Sequence, residues 1–397
     1  MNVIGALKGL GVVGLAVMAF ASAACGGSSS STSGETSEGS GGSKASGGHQ
    51  GGGGSGGGGG SASCPVGSHV DGSGCAVTLD GWTQGPSLAH ARDHHVTFIA
   101  ETPAGNFLYV AAGINATSIF NGIERAPIAA DGTLGAFTAA GTIPKGVAGA
   151  GLAQVGNAVV MAGGLAIETS NAVSVTDTAV GVVADDGTVT FTAGPSLASS
   201  RYHVSLSADR GFVYAIGGLE QSVVSGQPEQ HLVDAIERAP FDGKTLGAFT
   251  TLAPLPAAMT HQAAVVRDHY IYLIGGITDE TPIKDVQRSL VSESGDLGAW
   301  EKVGELPEGR GTSSAFVFVD QLYVLCGANK AQGGEVATVL RASFQKDGSV
   351  GTFEELKPVP MARAHVHQTP LLNGFIYSAG GSLGSKYENE VYLGKLE

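Results

Sequence analysis

Charge is scarce in this chain and unevenly divided. Only 14% of its 397 residues are charged, 21 Lys and Arg stand against 35 Asp and Glu, and the formal net charge is −14. The basic residues form no block, which excludes the basic face that grips a phosphate backbone. Apolar runs are short: residues 9–20 are uncharged and rich in Gly and Ala, less than the roughly 20 residues a membrane-crossing helix needs. Catalytic signatures are missing as well, with no nucleophile elbow, no P-loop and no His-Glu-x-x-His. No cofactor and no metal ion is therefore expected. Cysteine is confined to Cys25, Cys64, Cys75 and Cys326.

What is present begins with an export signal. Lys8 precedes the apolar run, and the small residues Ala21, Ser22, Ala23 and Ala24 follow it, the order of a secretory signal peptide over residues 1–24. Cys25 comes next, followed by Gly26 and Gly27. This segment resembles a bacterial lipoprotein signal, with Ser22 where that family usually has Leu. The resemblance implies a lipidated Cys25 and an outer-membrane lipoprotein of the cell envelope. Ordinary cleavage would instead leave Cys25 as a thiol on a secreted protein. Residues 26–63 are almost wholly Gly, Ser and small polar residues, too poor in apolar surface to offset chain entropy. With Cys25 they read as a tether (25–63), of about 35 Å typical span. Cys64 and Cys75 bracket a short polar loop (64–76), most simply a disulfide in an exported chain; a zinc site with His69 and Asp71 would need more ligands. Cys326, in the run YVLCG, reads as a buried free thiol.

The rest of the chain repeats. IERAPIAADGTLGAF at residues 123–137 returns as IERAPFDGKTLGAF at residues 236–249. The aromatic residue ending each copy belongs to a longer series, Phe137, Phe191, Phe249, Trp300 and Phe353, spaced by 54, 58, 51 and 53 residues. A period of about 50 marks a repeat architecture. Each unit holds four short apolar runs, the clearest ending in small residues: FLYVAAG, AVVMAGG, FVYAIGG, YIYLIGG, LYVLCGA and FIYSAGG. Tyr109, Tyr214, Tyr272, Tyr323 and Tyr377 share one slot of that run, with Val160 in the sixth. Such runs, bounded by Gly, read as buried strands, and Asp-Gly between the third and fourth runs reads as a turn.

The diglycine, the Tyr before it and the later aromatic resemble the kelch repeat over residues 77–397, and the resemblance implies an all-β, kelch-like β-propeller. Trp82 stands one period before Phe137, and the last unit ends without a fourth strand. The N-terminal strand around residues 77–87 is therefore expected to close the last of six blades, leaving no open edge.

In a propeller, the loops between strands two and three and those between blades share one face, and loops on a rigid scaffold are where function gathers. The blade junctions HARDHH, SSRYHV, MTHQ, EGRGTS and MARAHVH place Arg92, Arg201, Arg310 and Arg363 at one slot, with His94, His203 and His365 two residues later and His261 in a junction without Arg. These could form a ring of donors for a carboxylate or a sugar, or they could brace the ring. Periodicity favours bracing. The long loop after Gly218 brings Glu220, Glu229 and His231, and the loop after Gly276 brings Asp279, Glu280 and Lys284. These break the repeat and are the first candidates for recognition. Arg125, Arg238, Arg288 and Arg341 also recur, which reads as scaffold. Copper oxidation of the galactose oxidase kind, also built on kelch-like blades, would need a Cys joined to a Tyr and paired histidines. His94-His95 and His365-x-His367 are its nearest approach, and that chemistry is not expected. Two functions remain. One is a non-catalytic, monomeric scaffold at the envelope that binds a protein or glycan. The other is a periplasmic carbohydrate-processing enzyme resembling sialic acid epimerases, in which Arg201, His203, Glu220, Arg363 and His365 would form the site at the channel mouth and a carboxylate or His would carry proton transfer.

Overall fold

The structure, a computed structural model, describes residues 69–71, 74–279, 281–329 and 334–397. The expected signal peptide, lipidated Cys25, tether and Cys64–Cys75 disulfide lie outside the described residues, as does Glu280. Before the repeats, strand His69–Asp71 pairs with Gly74–Ala76.

Every element among the described residues is a strand or a connection between strands. Six sheets of four antiparallel strands follow one another. Blade 1 runs Asp93–Thr102, Gly105–Ile114, Gly122–Ile128 and Thr138–Thr142 from the axis outward. Blade 2 repeats this with Gly151–Val155, Ala158–Ala162, Thr178–Val183 and Val189–Ala193, and blade 3 with Ser205–Asp209, Phe212–Ile216, Ile236–Pro240 and Thr250–Thr251. Blades 4 and 5 begin at Ala263–Arg267 and Ser314–Phe318. Blade 6 takes Leu371–Leu372, Phe375–Ala379 and Val391–Leu396 from the end of the chain, and its outer strand, Leu79–Gln84, from the start. The chain is thus a six-bladed β-propeller closed by its N-terminal strand, as the spacing of Trp82 implies.

The second strand of each blade is buried on both faces because blades press on it from either side. Ala158–Ala162 is buried along its whole length. The apolar core is therefore divided into six blade-to-blade interfaces. Val96, Tyr109 and Ile123 of blade 1 meet Val159, Met161 and Phe191 of blade 2. Further clusters join blades 2 and 3, 3 and 4, 4 and 5, 5 and 6, and 6 and 1. Stability of this kind is a sum of neighbour terms.

The twice-written phrase serves these interfaces. Ile123 and Ile236 are buried in them, and Ala126 and Ala239 are fully covered. Arg125 lies over Phe107 and donates to the Asp186 carbonyl of blade 2 at 2.9 Å. Arg238 does the same from Phe212 to the Ser294 carbonyl of blade 4. The Asp186-Gly187 pair that Arg125 reaches is an Asx turn, in which Asp186 Oδ1 accepts from Thr188 N and Oγ1.

The diglycines answer to close approach. The Gly164 N–H donates to the Arg201 carbonyl of the next blade at 2.9 Å, and a Cβ on Gly163 would stand 2.2 Å from that oxygen. In blade 5 the first glycine of the pair is replaced by Cys326, which adopts φ 56° and is 2% exposed. The buried free thiol of the sequence is thus found just beyond its strand, at the diglycine turn.

Candidate functional site

Where each blade enters its innermost strand, one residue turns into the left-handed region. His94, Gly149, His203, His261, Thr312 and His365 hold this slot, with φ between 51° and 65°. Their backbones link blade to blade around the axis: His94 N–H donates to His365 O, Gly149 N–H to His94 O, His203 N–H to Gly149 O and Thr312 N–H to His261 O, at 2.7–3.2 Å. A left-handed non-glycine residue costs on the order of 1–3 kcal/mol and collects where function or closure demands it. Five of the six accept that strain.

The turn throws four imidazoles toward one another from blades 1, 3, 4 and 6. Ring centroids are 3.9 Å apart for His94 and His365, 4.8 Å for His94 and His203, and 3.7 Å for His203 and His261. His367 joins at 5.5 Å from His203. Gly149 makes room for the group, since a Cβ there would lie 2.6 Å from His203 Cδ2. Asp93 stands behind the rings: its Oδ1 is 2.6 Å from His94 Nδ1 and its Oδ2 is 3.7 Å from His365 Nδ1. The ring nitrogens of His203, Nδ1 of His261 and Nε2 of His367 are buried without a partner. Burial first, and the neighbouring imidazoles second, hold His203, His261 and His365 well below the usual histidine range. His367 is pushed down to about 3, mainly by burial. His203, His261, His365 and His367 are thus neutral at pH 7 and offer free lone pairs. Ser382 Oγ lies 3.2 Å from His365 Nδ1, the nitrogen that also faces Asp93. Both partners use one edge of the ring, so no relay of the serine-protease kind crosses it.

The arginines expected beside these histidines do something else. Arg92, Arg201, Arg310 and Arg363 are 0–2% exposed. Arg92 pairs with Glu124 and donates to Ala112 O at 3.1 Å. Arg201 pairs with Glu237 at 2.7 Å and donates to Ala235 O. Arg310 donates to Cys326 O, and Arg363 to Gly380 O at 2.8 Å. The guanidinium groups of all four are buried inside their own blades, where these bonds brace the strands, while Nε of Arg201, Arg310 and Arg363 and Nη2 of Arg363 have no partner. Glu124 and Glu237 were missed, though they are the second letters of the repeated IER.

After the diglycine, blades 2 to 6 each raise a small hairpin on this same face. The longest is blade 3's, Leu219–Val224 paired with Gln227–Leu232, which sets Glu220 opposite His231 and Glu229 opposite Ser222. Gln221, 4% exposed, ties it to the blade 2 hairpin through Ser174 Oγ and Ala172 O. Tyr202, in ring contact with His203, packs beneath both hairpins with Leu165 and Leu219. Glu220 and His231 therefore stand on a firm wall beside the histidines, His231 exposed and Glu220 half-buried. Asp279 and Lys284 are exposed on the blade 4 loop. A cavity of about 280 Å³ lies at the far ends of the innermost strands, between Ile99, Gln154 and Leu371, and contains none of these residues.

Comparison with known proteins agrees with the architecture. No protein-family model matches the sequence. The chain is 27% identical over 200 residues to Kelch-like protein terF of Aspergillus terreus, covering 49% of this chain and 41% of that protein. It is 28% identical over 147 residues to Kelch repeat and BTB domain-containing protein 2 of Ectromelia virus, covering 33% and 24%. The chain thus spans less than half the length of the curated relatives it matches. Among solved structures, that of YjhT superposes with a TM-score of 0.60 at 12% identity, over 79% of this chain and 99% of that one. Blade count, repeat spacing and these relatives together support a kelch-repeat propeller.

Proposed function

We propose that the protein is a kelch propeller held at the cell envelope by a lipidated Cys25 and its Gly/Ser tether, working as a non-catalytic scaffold that binds a protein or glycan on its loop face. The observation that carries this reading is the hairpin wall. The blade framework is near-symmetric, whereas the Leu219–Leu232 hairpin breaks the symmetry and is locked in place by buried Gln221. A rigid, asymmetric rim spares the ordering cost of binding. The epimerase-like alternative loses the arginines it would need for a substrate carboxylate, since they are sealed in the blades.

The test is calorimetry of the purified protein against envelope glycans, sugar acids and envelope proteins, run beside an NMR assay for sugar turnover. A specific partner whose affinity falls at least tenfold in Glu229→Ala or His231→Ala, with every sugar left unchanged, is the expected result. Turnover of a sugar acid that His203→Ala or His365→Ala abolishes would replace the scaffold by an enzyme.

A further inference from the structure

We infer that His94, His203 and His365 form a binding site for one borderline divalent transition-metal ion of the Cu²⁺, Zn²⁺, Ni²⁺ and Co²⁺ group. The inference does not depend on the scaffold reading. One ligand atom from each imidazole can be chosen such that all three lie within 4.8 Å of one another. Three nitrogens around one ion at about 2.0–2.1 Å would stand roughly 3.4 Å apart, so the rings must close by about 1 Å. The side chains of His94 and His365 are 17% and 15% exposed, which leaves them room to move and leaves an ion a way in.

Three independent features favour an ion over a purely structural stack. The first is the orphaned nitrogens of His203: a buried imidazole with no partner on either side pays its desolvation without return, and His203 is only 7% exposed. A bound cation would satisfy one of them. The second is Asp93, 4% exposed, whose two oxygens face Nδ1 of His94 and Nδ1 of His365. Hydrogen-bonded to Nδ1 of His94, the carboxylate fixes the tautomer that leaves that ring's Nε2 lone pair free, the arrangement by which metal-bound histidines are oriented. The third is the backbone: each of the three histidines is held in the left-handed region, in a ring whose sixth member is cut to glycine where the His203 ring lies. A set of three imidazole ligands, with no carboxylate among them, selects borderline ions over Mg²⁺ or Ca²⁺. The rings of His261 and His367, 3.7 and 5.5 Å from His203 by centroid, stand near enough to complete the coordination.

The experiment is titration of the full-length protein, stripped with chelator, by Cu²⁺, Zn²⁺, Ni²⁺ and Co²⁺, with Mg²⁺ and Ca²⁺ as controls, followed by calorimetry, thermal melting and Cu²⁺ electron paramagnetic resonance. One ion per chain and a raised Tm are expected from the borderline ions, with nitrogen hyperfine structure in the Cu²⁺ spectrum, and none of these from the hard ones. Affinity should fall at least 100-fold in His203→Gln and in His365→Gln, and stay unchanged in His269→Gln, an exposed histidine paired with Asp209. Asp93→Asn, which keeps all three imidazoles, should weaken binding 10- to 100-fold at unchanged stoichiometry; it serves if His203→Gln does not fold. Failure of the wild-type protein to bind any of the four ions would overturn the site. So would binding that survives both His203→Gln and His365→Gln, which would place the ion on the cysteines or histidines before residue 77.

Discussion

The hydroxyl of Tyr214 in blade 3 donates to the carbonyl of Gly295 in blade 4 at 2.7 Å. The same latch joins Tyr109 to Gly187, Tyr272 to Gly348 and Tyr377 to Gly132, the last across the closure of the ring. Each tyrosine is fully buried, so its hydroxyl must find a partner. Tyr214→Phe removes the donor and leaves a buried carbonyl unpaired, a cost of about 1–3 kcal/mol. Gly295→Ala should cost more, because φ is 81° there and a Cβ would sit 2.5 Å from the Phe212 ring. Denaturant melts of the two variants check the order; equal stability of wild type and Tyr214→Phe would show that the latch is idle.

A second prediction concerns Arg201, whose ion pair with Glu237 is 0% and 1% exposed at the side chains. Removing one member of a buried pair strands the other, at about 3–5 kcal/mol. Arg201→Ala should therefore lower stability by that amount whatever ligand is present, and Arg201→Ala with Glu237→Ala should recover part of it. A stable Arg201→Ala with selectively weakened ligand binding would return this arginine to the site.

The contrast between Arg201 and His203 shows what the sequence could and could not reveal. The fold was legible because a propeller writes its blade in order along the chain: Tyr, diglycine, Asp-Gly and aromatic recur at fixed distances, and Trp82 one period early announces the closing strand. The arginine slot reads as bracing for the same reason, and its four side chains are buried in their blades. The histidine two residues later shares that periodicity and was grouped with it, yet the left-handed turn at His94, His203 and His365 sends it to the axis instead of into the blade. No local pattern reports that turn. Nor does local sequence report that residues 94, 203 and 365 converge, since the convergence exists only once the ring is closed. Glu124 and Glu237 were hidden differently: the repeat flagged them, but nothing in the chain said their partners were Arg92 and Arg201.

Acid should loosen the fold through its buried histidines. His95, 1% exposed and without a partner on either ring nitrogen, is held at about 3 by burial and then by the Arg92 charge; His367 is also held at about 3. Both face His94, and His203, His261, His365, Asp93 and Arg92 complete the charged and titratable surroundings. In the unfolded chain both would titrate near 6.5. Below that value the unfolded state binds protons that the folded state refuses, so stability is flat above about pH 6.5 and falls as pH drops toward 3. Each group contributes about 1.4 kcal/mol per pH unit, so the pair should cost roughly 4 kcal/mol between pH 7 and pH 5. Denaturant melts across that range test it, and a curve that stays level down to pH 5 would contradict the burial of these rings.

Cys326 should be chemically silent in the folded protein. Burial raises its thiol to about 11, against the lowering effect of Arg363 and Arg310, and the thiolate is the reactive form. Iodoacetamide at pH 8, followed by peptide mapping, should leave Cys326 unlabelled until denaturant is added. Labelling at the rate of a free thiol would mean that the diglycine turn of blade 5 opens readily. Cys326→Gly, which restores the residue that other blades use at this φ of 56°, should be tolerated and should relieve strain.

The closure of the ring rests on a strand from the other end of the chain. Leu79–Gln84 pairs with Val391–Leu396, Leu79 opposite Leu396 and Trp82 opposite Gly394, and Trp82 Nε1 donates to Lys357 O in blade 5 at 3.2 Å. Val77 and Leu79 are buried in the interface between blades 5 and 6, where Arg341 donates to the Val77 carbonyl. Deleting residues 77–84 would expose that apolar surface and leave Val391–Leu396 as an unpaired edge, a template for pairing with another chain. Each of the two lost aliphatic side chains contributes about 1.5–3 kcal/mol when fully buried. The deletion should therefore give a protein that melts earlier and associates with concentration in light scattering, and a peptide spanning residues 77–87, supplied in trans, should suppress the association. A monomeric deletion variant with an unchanged melting temperature would mean that blade 6 stands without its fourth strand.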